Sequence, residues 1–346
     1  MKLKLHACEL KLVNPWRIAS SMGSGAHIVV LFELTDRDGV TGLGEAAPAS
    51  TYQETAAGVM EFCQGLEAGR LSFADIPGSM AWVDSLPGMP SAARCGLNLA
   101  LLDGAAKRAG QPVHDFLKLG FRENHHLTSF SIGIDSPDVV AKKVADAAAF
   151  PVLKLKVGDP RDRENFAALR SVAPRKPVRV DANEGWKTKE QALTMLETLA
   201  QDGHVQFVEQ PMPRNAAPKD LIWLKERSPL PLYADESCHN VRNIPHCAEC
   251  FHGVNVKLVK TGGISMAYET LQAARRAGLQ TMIGCMIETS VLISAAAHLA
   301  ELADHLDIDG NLLINNDPFR GATAVNGVIS FADAPAKTGL CVAPRA

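Results

Sequence analysis

No stretch of about 18 consecutive apolar residues occurs in the 346-residue chain, so a membrane-spanning helix is excluded at the level of sequence. The start, Met1 to Glu9, alternates charged and apolar side chains and lacks the continuous apolar core of a secretory leader. Basic runs are absent too. Lys and Arg number 35 against 38 Asp and Glu, a formal net charge of −3, which argues against a nucleic-acid footprint. The eight cysteines are scattered without framework spacing and read as reduced thiols. These absences lead to the expectation of a cytoplasmic, water-soluble protein with neither nucleic acid nor membrane as partner.

One group of cysteines stands closer together than the rest. His246-Cys247-Ala248-Glu249-Cys250-Phe251-His252 contains a C-x-x-C flanked by histidines, but a structural zinc needs four ligands fixed in a tetrahedron. No second C-x-x-C occurs, and a helix end followed by a loop is the simpler reading of Cys247 and Cys250.

What is present is 47% hydrophobic and 21% charged, ordinary for a soluble chain, and long enough for one large α/β domain with an appendage or for two domains. Residues 1–120 hold alternating apolar stretches at Lys2–Val13 and His27–Thr35 and a short run into Gly42-Leu43-Gly44-Glu45. Helical patterns follow from about Tyr52 to Gly69 and from about Ser91 to Ala109. Strands first and helices second predict an α+β unit. From about Leu127 the texture changes. Short apolar runs at Thr128–Ile134, Val152–Val157, Val178–Ala182, Val205–Gln210, Leu232–Glu236, Val254–Val259, Thr281–Met286 and Leu306–Asp309 alternate with helical segments. Such alternation means βαβ units and a parallel sheet, and eight units close into a barrel whose active site lies at the C-terminal ends of the strands.

Ionisable residues fall at those ends. Lys156, Asp181, Glu209, Asp235 and Lys257 are separated by 25, 28, 26 and 22 residues, about one β/α unit each. Surface charges recur at helical spacing within a unit, whereas these recur once per strand. Period two in Val152-Leu153-Lys154-Leu155-Lys156-Val157 aims Lys154 and Lys156 into the barrel mouth together. A buried unpaired ammonium is costly, so anionic or catalytic partners must justify the placement.

Three carboxylates from consecutive strands, Asp181, Glu209 and Asp235, offer the oxygen-only donor set of one Mg²⁺ site. Strands two and six of an eight-stranded barrel lie opposite one another, so Lys156 and Lys257 face each other across the mouth. A substrate carboxylate on the metal would hold its α-carbon between two amines, and one could remove the α-proton while the other returns one to the opposite face. That is 1,1-proton transfer. Mg²⁺ and Lys154 supply positive charge before the carbanion develops, and both are expected to depress the pKa of Lys156.

The motifs Lys154-Leu155-Lys156, Val180-Asp181-Ala182-Asn183, Val208-Glu209-Gln210-Pro211, Ala234-Asp235-Glu236-Ser237 and Asn255-Val256-Lys257-Leu258-Val259-Lys260-Thr261-Gly262-Gly263 resemble the enolase superfamily, muconate-lactonizing subgroup. Gly42-Leu43-Gly44-Glu45-Ala46-Ala47-Pro48 resembles its capping domain, and Asp317-Pro318-Phe319 begins the return to it. The resemblance implies an α/β fold, a modified TIM barrel (β/α)₇β over 121–317, with an N-terminal α+β capping domain over 1–120 and a C-terminal segment, 318–346, returning to that domain. His305-Leu306-Asp307-Ile308-Asp309-Gly310 resembles the D-x-D motif with which dipeptide epimerases bind a free α-ammonium. Two apart on a strand, Asp307 and Asp309 would both point inward and flank that cation. By the same resemblance Ser131, Asn183, Cys285 and Ile287 line the substrate, while Glu288 receives no role.

The implied activity is a Mg²⁺-dependent dipeptide epimerase, an isomerase passing through an enediolate, with a small dipeptide as partner and a homo-oligomer allowed. Epimerases acting on Ala-Glu resemble one another in a capping-loop arginine, and that position falls here at about Ser20, in the uncharged loop Ile18–Ala26 with Arg17 nearby. A neutral or small side chain at the inverted residue is therefore at least as well supported as glutamate. The competing readings are an N-acylamino-acid racemase or o-succinylbenzoate synthase relative, whose substrates carry no ammonium for the two aspartates, and a non-catalytic enolase-like barrel that binds a ligand.

Overall fold

The structure is a computed structural model that describes residues 1–19 and 21–345, with residues 21–24 described by backbone alone. The chain opens with a three-stranded antiparallel sheet: β1 (Lys2–Ile18), β2 (Ser21–Thr35) and β3 (Thr41–Ala46), in that order. The first two strands exceed their alternating stretches because pairing resumes past a break in register, with Trp16 opposite Ser24 and Ile18 opposite Ser21. The helix Ser91–Arg108 lies against this sheet, buried almost throughout from Ala92 to Ala106. Gly42 and Gly44 permit that approach, since a Cβ on Gly44 would sit 2.0 Å from the Gly96 carbonyl oxygen. The helical pattern expected from Tyr52 resolves into a single 3₁₀ turn, Ser50–Tyr52, and a helix, Ala56–Gln64, capped by the Thr55 hydroxyl accepting from Gly58 N–H.

Eight parallel strands follow: β4 (Phe130–Ile132), β5 (Leu153–Lys156), β6 (Val178–Asp181), β7 (Val205–Glu209), β8 (Leu232–Ala234), β9 (Gly253–Lys257), β10 (Gln280–Gly284) and β11 (His305–Asp307). They pair in sequence order from β4 to β11. The ends meet through a parallel bridge between Thr128 and Leu306, helped by Ser129 N–H to Leu306 O at 3.2 Å and Ile308 N–H to Thr128 Oγ1 at 2.8 Å. A nearly closed barrel results. Its strands are short, and the last stops at Asp307, so Asp309 lies beyond it at the start of a 3₁₀ turn, Gly310–Leu312.

The chain then runs back beside β1. Val13 N–H donates to Leu313 O and Asn315 N–H to Lys11 O, each at 2.9 Å. Glu45 on β3 ties the other flank: its carboxylate accepts Thr289 N–H at 2.9 Å, Thr289 Oγ1–H at 2.6 Å and Leu292 N–H at 3.1 Å, capping the barrel helix Ser290–Ala297. Among the described residues, no helix is long and apolar enough to cross a membrane.

Candidate active site

Five consecutive strand ends, β5 to β9, each deliver an acid or a base. Asp181, Glu209 and Lys257 are the last residues of β6, β7 and β9, Lys156 is the last of β5, and Asp235 follows β8. Asp181, Glu209 and Asp235 are buried, and each places an oxygen within 4.8 Å of the others. Among the described residues they form the single group of acids, histidines or cysteines that could gather round a metal ion. The donors are all oxygens, and Glu209 Oε2 accepts no hydrogen bond, its nearest cation being the Lys154 ammonium at 2.8 Å. This set fits a hard divalent cation such as Mg²⁺, which favours carboxylate oxygens and keeps positions for substrate. The trio would hold the ion.

Lysines surround the acids. Lys156 Nζ donates to Asp181 Oδ2 at 2.6 Å, and Lys257 Nζ to Asp235 Oδ2 at 2.7 Å. In strand order β5 and β9 stand four places apart in the ring of eight, so the two amines approach the acids from opposite sides. Burial works against charge on Asp235, yet Lys257 and Lys260 beside it hold its carboxyl well below the usual carboxylate range.

Lys154, expected as a cation beside Lys156, is also engaged by three carboxylates. It is fully buried, donates to Asp307 Oδ2 at 2.6 Å, and lies 2.8 Å from Glu209 Oε2 and 3.1 Å from Asp181 Oδ2. Burial opposes its charge, but these carboxylates raise its pKa well above the ordinary lysine value. Lys154 is thus a fixed ammonium that bridges the acid trio to β11.

That bridge changes the reading of the aspartate pair. Asp307 is occupied on both oxygens, by Lys154 and by Ser129 Oγ–H at 2.6 Å. Against burial, Lys154 and Lys156 hold it down to about 2. Asp309 is off the strand, and its Oδ2 accepts Ser131 N–H at 2.6 Å. Burial and the neighbouring Asp307 push it up to about 7. With no lysine bonded to it, Asp309 is the member of the pair that gains most from an incoming cation.

The remaining predicted residues divide. Ser131 and Asn183 are buried, and Cys285 and Ile287 are half-buried on the loop after β10. Asn183 adopts a left-handed φ of 41°, donates its backbone N–H to Asp181 Oδ1 at 2.9 Å and its amide to Glu236 Oε1 at 3.1 Å. Ser20 lies outside the described residues. Arg17 is committed elsewhere, its guanidinium donating to Asp159 Oδ2 at 2.8 Å. Cys247 and Cys250 sit buried in the helix Ile244–Cys250 and gather no metal-binding group.

Sequence reasoning passed over Ser129, Asn255 and Lys260. Asn255 Nδ2 donates to Glu209 Oε1 at 2.7 Å, and Lys260 Nζ to Asp235 Oδ1 at 2.5 Å. Period two on β9 puts Asn255 on the face of Lys257, which was the available signal. Lys260 stands on a helical turn after the strand, Leu258–Thr261, where no strand period applies.

Two family models match the chain: "Mandelate racemase / muconate lactonizing enzyme, N-terminal domain" over residues 3–118, and "Enolase C-terminal domain-like" over residues 139–345. The L-Ala-D/L-amino acid epimerase of Pedosphaera parvula is 61% identical over 344 residues, 99% of each chain. The L-Ala-D/L-Glu epimerase of Bacteroides thetaiotaomicron is 38% identical over 338 residues, 97% of this chain and 86% of that one. Among solved structures, the dipeptide epimerase from Cytophaga hutchinsonii complexed with Mg and the dipeptide D-Ala-L-Val superposes with a TM-score of 0.91 at 27% identity, covering 99% of this chain and 95% of the other. A barrel closing on three acids between opposed lysines, fronted by an antiparallel sheet, agrees with both models, and the chain belongs to the enolase superfamily, in the group of mandelate racemase and muconate-lactonizing enzymes.

Proposed function

We propose that the protein is a Mg²⁺-dependent dipeptide epimerase that inverts the α-carbon of the C-terminal residue by proton transfer between Lys156 and Lys257. The observation that carries this reading is the pair of lysines on opposed strands, each bonded to one acid of the trio. Bound to the trio, Mg²⁺ supplies positive charge to the substrate carboxylate and so acidifies the neighbouring C–H. Lys156 or Lys257, as the neutral amine, removes the α-proton from its own face, and the other, as ammonium, delivers one to the opposite face. Lys154 stays protonated in its cage of carboxylates and stabilises the charge that develops. Asp309 receives the α-ammonium of the dipeptide, with Asp307 and Ser131 fixing the surroundings.

The side chain at the inverted carbon is proposed to be uncharged. Residues 18–26 carry no charge, and the cation next to them in sequence, Arg17, is spent on Asp159. An acidic side chain there would be desolvated without a partner.

A library of L-Ala-L-Xaa dipeptides incubated in D₂O tests the whole reading. Epimers of neutral residues are expected to appear carrying solvent deuterium at the α-carbon. Replacing Lys156 or Lys257 by Ala should cut epimerisation by about 10²–10⁴-fold, while exchange of one epimer alone can persist in each. Full epimerisation by both variants would refute the two-base mechanism.

A further inference from the structure

Resting on the Mg²⁺ reading above, we infer that Asn255 and Lys260, together with the backbone N–H of Asn183, are positioning groups that confine each acid of the trio to one oxygen for the ion and thereby favour Mg²⁺ over the larger Ca²⁺. The pattern repeats three times. Asp181 Oδ1 accepts Asn183 N–H at 2.9 Å, Glu209 Oε1 accepts Asn255 Nδ2 at 2.7 Å, and Asp235 Oδ1 accepts Lys260 Nζ at 2.5 Å. The second oxygen of each faces a site lysine instead: Lys156 at Asp181 Oδ2, Lys154 at Glu209 Oε2 and Lys257 at Asp235 Oδ2.

The three donors are held as firmly as the acids. Lys260 has a side chain with no exposed surface, and its ammonium is saturated by Asp235 Oδ1, the Asp235 carbonyl at 2.6 Å and the Asn255 carbonyl at 3.1 Å. It has no alternative partner to move toward. Asn255 is fully buried, and glycine at 284 makes room for its amide, since a Cβ there would lie 2.5 Å from Asn255 Oδ1. The Asn183 donor is main chain, fixed by its left-handed turn.

Ion size makes this consequential. Mg²⁺ takes six oxygens in a tight octahedron, which single oxygens from three acids plus substrate and water complete. Ca²⁺ takes up to eight at longer distances and uses both oxygens of a carboxylate readily. A donor already seated on Oδ1 of Asp181 and Asp235 and on Oε1 of Glu209 denies Ca²⁺ that mode and costs Mg²⁺ nothing.

Calorimetric titration of Mg²⁺ and of Ca²⁺ into the wild type, Lys260→Met and Asn255→Ala, without substrate, tests the inference. Removing the Lys260 charge strengthens binding of any divalent ion by a common electrostatic factor, and the ratio of the two dissociation constants cancels that factor. In each variant the ratio is expected to shift toward Ca²⁺ by about tenfold or more. A ratio within threefold of wild type in both variants would overturn the inference and leave the Mg²⁺ site intact. A wild type that binds neither ion would overturn the metal reading and this inference with it. Thermal melts establish which variants fold, and if Lys260→Met does not, Asn255→Ala decides the matter through Glu209.

Discussion

Asp309 and Asp307 show how far a residue's role depends on what already occupies it. Both are buried acids two positions apart, yet Lys154 neutralises one and leaves the other to an incoming charge. Asp309→Asn keeps an oxygen for the Ser131 N–H while removing the charge. The substitution is expected to slow epimerisation of dipeptides at least tenfold more than racemisation of N-acyl amino acids, which bring no ammonium, and equal losses on both would undo the assignment. The acids and bases at the strand ends were legible in the sequence because a barrel repeats its mouth once per β/α unit. Asn255, Lys260 and Ser129 were not, because their partners are 46, 25 and 178 residues away and no local period marks the pairing. Asp309 was misplaced for a simpler reason. Alternation continues in its sequence after hydrogen-bonded pairing has stopped at Asp307.

At the level of elements, apolar runs located all eight barrel strands, and their ends erred where pairing rather than hydrophobicity decides. The shortening of β4 and β11 follows from their position at the seam, where one bridge at Thr128 and Leu306 replaces a full ladder. The contact between β3 and the helix Ser91–Arg108 lies beyond periodicity altogether, for it depends on glycine at Gly42 and Gly44. Gly44→Ala sets a methyl 2.0 Å from the Gly96 carbonyl, and backbone on both sides cannot yield as a side chain would. The expected loss is about 3 kcal/mol, at the upper end for overpacked cores, read as a lower urea midpoint. Gly69→Ala, where a Cβ meets nothing within 4 Å, serves as the control and should leave the midpoint nearly unchanged.

Across the whole molecule, the N-terminal sheet and the barrel are locked by a buried acid. Burial pushes Glu45 up to about 7, against the hydrogen bonds from Thr289 and Leu292 that favour its charge. In the unfolded chain a glutamate titrates near about 4.3, so the folded protein holds this proton more tightly. The stability it contributes is complete below about 4.3 and is lost as pH rises toward about 7. Glu45→Gln removes this titration and relieves the buried Glu288 of a charge that helps to raise it. The stability difference between wild type and Glu45→Gln, from urea melts at pH 5, 6, 7 and 8, should therefore shrink or reverse up to pH 7 and level off above it. A difference independent of pH would contradict the assignment.

The same sheet receives the chain twice. The helix Ser91–Arg108 packs on it before the barrel begins, and residues 313–315 bond to Lys11 and Val13 after the barrel ends. Neither half is therefore a detachable cassette. Anyone exchanging the hairpin of β1 and β2 among relatives would have to transplant both flanks at once, or leave the main chain of Lys11 and Val13 without its mates.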